Sequence, residues 1–183
     1  ITRFFLKDKN IKTIFHLAKS VDTKIWVVGG AIRDFLIGGV ISDIDFVINT
    51  DVCIFVKKLA NKNVKINKVN IHYKTISIIL SNKEYQITSF RKDLITFGRK
   101  AYVGLTESIY QDAKRRDFTI NALYLDQEGK LIDPLNGYED ITKRFGPASV
   151  VGPEKGGIAI FTDIHGKMDS FYKRRNVFDK IEI

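Results

Sequence analysis

Four apolar residues, Ile25-Trp26-Val27-Val28, run straight into Gly29-Gly30. The stretch Ala31 to Ile37 then has helix-compatible content and is closed by Gly38-Gly39, after which a second apolar run follows, Ile44 to Ile48. A short apolar run ended by glycines suits a buried strand, so the spacing predicts strand, helix and strand in quick succession. Asp43 and Asp45 stand at alternate positions at the head of the second run. The two-residue period of a strand puts both carboxylates on one face. Adjacent carboxylates repel and lose hydration when covered, so they are tolerated mainly where a cation compensates them.

Hard divalent cations such as Mg2+ take oxygen ligands, typically one or two carboxylates plus substrate phosphates. Two such ions roughly 3.5–4 Å apart can hold the attacking and leaving oxygens of an in-line phosphoryl displacement. Gly29 and Gly30 let the backbone approach a triphosphate, the next helix would point its first amides at the anion, and Arg33 adds a guanidinium suited to phosphate. Asp-x-Asp alone is common and fits a solvated turn better. With the double glycine and Arg33 one strand upstream, the catalytic reading is preferred.

With 183 residues and 44% apolar content, the chain can build one full domain plus a fragment. No run is long enough to span a bilayer, and none reads as a signal peptide. A single cysteine, Cys53, excludes an internal disulfide framework and fits a reducing compartment, so a cytoplasmic location is expected. Beside Ile54, Phe55 and Val56 it reads as a core residue, and His16 and His72 as packing or surface residues. The net charge is +9, and from Val52 to Lys83 there are seven lysines and no acidic residue. A second basic cluster comprises Arg91, Lys92, Arg99, Lys100, Lys114, Arg115 and Arg116. Such a surface attracts a polyanion, of which a nucleic-acid backbone is the usual one.

Phe4 to Ser20 has helical periodicity, and Asp51 to Asn61 reads as a helix capped by Asp51. Lys65 to Val69, Thr75 to Leu80 and Glu84 to Phe90 read as strands, Asp93 to Gly104 as a flexible loop, Thr106 to Arg116 as a short helix and Ile120 to Leu125 as a strand. From Phe145 onward glycine and proline accumulate, as in a linker, before a new apolar run, Ile158-Ala159-Ile160-Phe161.

Three ordered motifs between Lys24 and Ile141 resemble the catalytic head of the class II tRNA nucleotidyltransferase (CCA-adding enzyme) and bacterial poly(A) polymerase family, within the polymerase-β-like superfamily. Val28-Gly29-Gly30-Ala31-Ile32-Arg33-Asp34 with Asp43-Ile44-Asp45 resembles the metal and triphosphate motif. Arg115-Arg116-Asp117-Phe118-Thr119-Ile120-Asn121-Ala122 is similar to the ribose and nucleotide-contact motif. Asp133-Pro134 with Gly137, Asp140 and Ile141 is similar to the motif that ends the head. The resemblance implies metal ligation by Asp43 and Asp45, and nucleotide contacts from Gly29, Gly30, Arg33, Arg91, Arg116, Asp117 and Asn121. Asp117 reads alternatively as orienting its arginine neighbours, and Arg91 as the start of the family's mobile loop or a solvated arginine.

Three departures qualify the transfer. Gln86 stands where the family often places a third carboxylate, and a neutral amide does not replace a charged ligand. Glu84, two residues earlier on the same strand face, is the candidate substitute. No acidic and arginine neck motif for selecting CTP and ATP follows Ile141, and no basic pair before phenylalanine marks a bacterial poly(A) polymerase around Lys65 to Ile79. Separately, Ile158 to Gly166 resembles the first strand and Asp-x-His-Gly turn of calcineurin-like metallophosphoesterases. That likeness implies Asp163 and His165 as part of a second metal site for Mn, Fe or Zn.

The resulting expectation is an α/β head domain over residues 1–141, with a small mixed five-stranded sheet and helices on one side. A linker at 142–157 and the truncated start of a possible phosphoesterase domain at 158–183 follow. The expected reaction is Mg2+- or Mn2+-dependent addition of CMP or AMP, from CTP and ATP, to the 3′ end of tRNA, with no membrane partner. A poly(A) polymerase of the same fold and a catalytically weak RNA-binding fragment are the alternatives.

Overall fold

The computed structural model describes residues 1–97 and 100–144. The expected linker after Arg144, the phosphoesterase-like segment and its candidates Asp163 and His165 lie outside the described residues, as does Arg99.

The helix expected over Phe4 to Ser20 is two helices, α1 (Thr2–Phe5) and α2 (Lys9–Lys19). Asp8 divides them. Its Oδ1 accepts from the amides of Asn10 and Ile11 at 2.8 and 3.0 Å, which starts a new helix. Such a cap contributes about 1 kcal/mol. Ile11, Ile14, Phe15 and Ala18 form its buried stripe. Next come β1 (Ile25–Val28), α3 (Gly30–Leu36), β2 (Asp45–Ile48) and α4 (Val52–Lys58). The Asp51 carboxylate caps α4 through the Cys53 amide. Cys53 itself is half-buried at the margin of the core, while Val52 and Phe55 fill it. His16 and His72 are exposed.

Strands β3 (Lys65–Asn67), β4 (Thr75–Leu80) and β5 (Lys83–Ser89) complete one half of the sheet. After β6 (Arg91–Phe97) and β7 (Lys100–Leu105) come α5 (Ile109–Lys114), a 3-10 turn at Thr119–Asn121, β8 (Tyr124–Leu125), β9 (Leu131–Ile132) and α6 (Gly137–Arg144).

Among the described residues seven strands form the main sheet, in the order β3-β4-β5-β2-β1-β8-β9, so the expectation of five was too few. The additional strands β8 and β9 have two residues each. No periodic run announces β9, whereas β8 is the end of the strand expected over Ile120 to Leu125, where Val27 and Val28 pair with Leu125 and Tyr124 across a long sequence separation. The stretch expected as one strand from Ile120 instead spends Thr119–Asn121 in the 3-10 turn. The loop expected at Asp93 to Gly104 is a separate antiparallel ribbon, β6-β7. Leu94-Ile95-Thr96-Phe97 and Ala101-Tyr102-Val103 are strand-forming residues, a signal that outweighs the glycines and charges of the stretch.

Two apolar layers result. On one face Phe46, Ile48, Ile76, Ile78 and Ile87 pack with residues of α1, α2, α3, α4 and α6. The opposite face carries Val28, Val47 and Tyr124, covered by Phe90 and by Ala113 of α5. Helices therefore contribute to both faces rather than one. Trp26 stacks on Phe90 at 4.9 Å between ring centroids, and Phe90 meets Tyr124 edge-on at 6.1 Å. Among the described residues, no helix is long and apolar enough to cross a membrane.

Candidate active site

The second face opens into a cavity of about 360 Å³ at the junction of β1, β2 and β5 with α3 and α5. Gly29 turns the chain from β1 into α3 at φ +76°, a left-handed conformation that favours glycine. A Cβ there would sit 3.6 Å from both Arg116 Nη1 and the Asn121 carbonyl, so the turn lies close against the later motif. From α3, Arg33 reaches back across this turn. Its Nη1 donates to Asn121 Oδ1 at 2.6 Å, while Nε donates to Asp34 Oδ1 at 2.9 Å. Asn121 in turn donates to Asp117 Oδ1 at 3.1 Å. Asp117 thus orients Asn121; the arginine it steadies, through Asn121, is Arg33 rather than a neighbour in sequence.

Arg116 is fixed from behind by a residue the sequence reading missed. Asp112 on α5 is 1% exposed. Its Oδ2 accepts from Arg116 Nε and Nη2 at 3.2 and 3.0 Å and from the Tyr124 hydroxyl at 2.9 Å. Its Oδ1 accepts from the Arg91 amide at 3.0 Å and lies 3.5 Å from Arg115 Nε. One buried carboxylate therefore gathers the base of β6, both arginines of the motif and β8. Burial would lower the Arg116 pKa, but Tyr124 and Asp112 outweigh it and hold the guanidinium above its ordinary value. Burial, then the neighbouring Arg115 charge, pushes Arg91 down. Burial pushes the Tyr124 hydroxyl well up, so it remains a neutral donor. The spacing Asp112 to Arg115 and Arg116, three and four residues along a helix, was the available signal.

Asp45 opens β2, opposite Val28 of β1. It lines the cavity and is solvent-accessible, yet the surrounding protein strips enough water from its carboxylate to raise its pKa. The Asp43 charge raises it further, and Arg116 partly opposes both. Asp43 is exposed in the segment before β2, not on the strand as expected, because pairing with β1 runs out at Asp45. The two carboxylates nonetheless sense each other.

Gly29, Gly30, Arg33, Asp45, Arg91, Arg116, Asp117 and Asn121 all line the cavity, as do Thr75, Gln86 and Thr88, none of them chosen as site residues from sequence. Glu84 is not brought there. It is exposed, and its Oε1 accepts from Asn67 Nδ2 at 3.3 Å; Gln86 is the β5 residue next to Asp45. The parallel register Phe46–Ile87 places them side by side, whereas Glu84 lies a further two residues along. Among the described residues no group of three or more His, Cys, Asp or Glu side chains forms a metal cluster.

The third motif braces the second. Both carboxylate oxygens of Asp133 accept amides at the start of α6, from Gly137 at 2.8 Å and Tyr138 at 2.9 Å. Asp140 accepts from the Thr119 hydroxyl, fixing the 3-10 turn that carries Asn121.

A mixed sheet with a glycine turn, an acidic strand end and an arginine wall is the arrangement of a nucleotidyltransferase head. The family model for the poly A polymerase head domain matches residues 25–145, and the chain belongs to that family. Over 133 residues it is 34% identical to a CCA-adding enzyme of Streptococcus gordonii, covering 72% of this chain and 32% of that protein. The human mitochondrial CCA tRNA nucleotidyltransferase 1 is 33% identical over 137 residues, covering 74% and 32%. Among solved structures, the Bacillus stearothermophilus CCA-adding enzyme in complex with CTP aligns with a TM-score of 0.62 at 32% identity, covering 73% of this chain and 31% of that one. A tRNA nucleotidyltransferase with a primer tRNA and an incoming ATP analogue aligns at 0.56 and 26% identity, covering 72% and 37%. The chain spans about a third of the length of the curated relatives it matches.

Proposed function

We propose that this chain is the catalytic head of an enzyme that transfers CMP or AMP from CTP or ATP to the 3′ hydroxyl of tRNA. The observation that carries the reading is the juxtaposition of Asp45 with Gly29-Gly30, Arg33 and Arg116 around one cavity. The likeness to CCA-adding enzymes supports CTP, ATP and tRNA as substrates over long adenylate tails.

Asp43 and Asp45 fit a hard divalent cation. Their donors are all oxygen, and the pKa of Asp45 is raised first by desolvation and then by the Asp43 charge, both of which a bound cation would offset. When bound, Mg2+ or Mn2+ supplies charge neutralisation at the reacting phosphate and favours the ionised hydroxyl. The chain's own residues do the rest. Gly30 admits phosphate oxygens close to the backbone. Arg33 and Arg116 spend part of their five N–H donors on Asp34, Asp112, Tyr124 and Asn121, and turn the remainder to the triphosphate. Asn121 and Asp117 set the ribose side. The lysine-rich stretch from Lys57 to Lys83 attracts the RNA backbone.

The division into a head over residues 1–141, a linker and a phosphoesterase-like start with Asp163 and His165 belongs to the same reading, as does a cytoplasmic location. The test is incorporation of labelled CTP or ATP onto tRNA lacking its CCA end, with Mg2+, in the chain and in Asp45→Ala. Addition of one to three nucleotides that disappears in the variant is expected. Long adenylate tails would identify a poly(A) polymerase instead, and RNA binding without turnover a binding fragment.

A further inference from the structure

The cavity has two chemically different sides, and the proposed function uses one of them. Strand order puts Asp45 between them: β1 and β8 lie on one side of β2, and β5 then β4 on the other. Toward β1 and β8 are Gly29, Arg33, Arg116 and Asn121, a cradle for an anion. Toward β5 and β4 are Thr75, Gln86 and Thr88, which are neutral and line the same cavity.

Thr75 and Thr88 face each other across the β4-β5 ladder, with their hydroxyl oxygens 2.9 Å apart. That bond consumes one of two hydroxyl protons. The other contact of the pair, from Thr75 to the Tyr73 carbonyl, is long at 3.4 Å. Gln86, exposed beside Asp45, has no intramolecular side-chain hydrogen bond among the described residues. Its amide has two donors and a carbonyl acceptor to offer. Neutral groups that both donate and accept suit a hydroxyl, which does both, better than a phosphate, which only accepts.

The reaction geometry says which hydroxyls. In a phosphoryl displacement the attacking and leaving oxygens lie roughly in line on opposite sides of phosphorus. With the triphosphate held on the arginine side of Asp45, the attacking sugar enters from the β5 side. Resting on the proposed nucleotidyl transfer, we infer that Gln86 and the Thr75–Thr88 pair form the acceptor subsite, binding the terminal ribose of an RNA 3′ end through its 2′ hydroxyl. Gln86, which reads from sequence as a lost carboxylate, then has a role of its own. The 2′ hydroxyl is what separates RNA from DNA at such a site.

The test measures binding of a short oligoribonucleotide and of the same oligomer with a 2′-deoxyribose terminus, by fluorescence anisotropy, with Mg2+ and a non-hydrolysable ATP analogue. About a tenfold preference for the ribose end is expected, equivalent to roughly 1.4 kcal/mol. Thr88→Val should shrink that preference, with its fold checked by thermal melting. Gln86→Ala, at an exposed position, should do so with no demand on the core. Affinity for the ATP analogue stays unchanged in both. Equal binding of the two oligomers, or full preference in both variants, overturns the inference. Nucleotide incorporation by the parent chain is measured alongside. Incorporation without 2′ discrimination refutes the subsite alone, whereas discrimination without incorporation refutes the proposed reaction and leaves the subsite standing.

Discussion

Gly137→Ala should damage a site whose residues it does not touch. A Cβ at position 137 would lie 2.2 Å from the Thr119 carbonyl oxygen and 2.6 Å from its carbon. Ordinary contact begins near 3.4 Å, so α6 and the 3-10 turn must separate by about 1 Å. Neither partner yields easily, because the obstructing atoms are backbone, Asp140 ties the turn to α6, and Asp133 fixes the start of α6. Overpacking of this kind costs about 1–3 kcal/mol, or roughly 2–12 °C in Tm for a domain of this size. The turn carries Asn121, which bonds Arg33, so the displacement reaches the triphosphate side of the cavity. Misplacement by about 1 Å can cost on the order of a hundredfold in rate. Calorimetry and nucleotide incorporation check the two effects separately. A variant that melts within about 1 °C of the parent and retains full activity would refute the claim that α6 braces this turn.

Gly30→Ala is the informative contrast: its nearest neighbour would be the flexible Arg33 Nη2 at 3.5 Å, so Tm should hold while incorporation falls. Asp45→Asn should raise stability at pH 7 without divalent cations. The native pKa of Asp45 lies above the ordinary 3.8, so its ionised form weakens the fold as pH rises past that value, and the gain should vanish in melts below it. For the same reason, apparent Mg2+ affinity should fall off on acidification at a higher pH than an ordinary aspartate allows, as Mg2+ titrations across pH will show. Asp112→Asn leaves Arg115 and Arg116 partly buried without their counter-charge and should cost about 3 kcal/mol or more, read by denaturant unfolding with Trp26 fluorescence.

The local elements were legible wherever one segment contains its own signal. Gly29-Gly30 after four apolar residues marks the β1–α3 turn, and Asp51 marks the α4 cap. What stayed hidden was decided by partners distant in sequence. Asp112 reads as one acidic residue on a short helix until Arg91 and Tyr124 close around it. Asp43 fits the strand period, but the ladder ends where β1 ends. Glu84 and Gln86 share a strand face, and the parallel pairing with β2 decides which of them meets Asp45. The β6-β7 ribbon is signalled by Leu94-Ile95-Thr96-Phe97 and Ala101-Tyr102-Val103, while the glycines of the same stretch point to a loop instead.

The pairing of β1 with β8 also has a consequence for how the chain acquires its shape. Val27 meets Leu125, so one flank of an interior strand must wait for a segment made nearly a hundred residues later. During synthesis, β1 to β5 emerge first and can collapse on the helices of the first layer. Until the later segment arrives, the outer flank of β1 is a bare edge, and Trp26 and Val28 lie uncovered on the opposite face. Long-range closure of this kind is slow, and unpaired edges invite intermolecular pairing. The cavity is therefore completed only late in synthesis, and a nascent chain stalled before Leu125 presents an association-prone surface in its place.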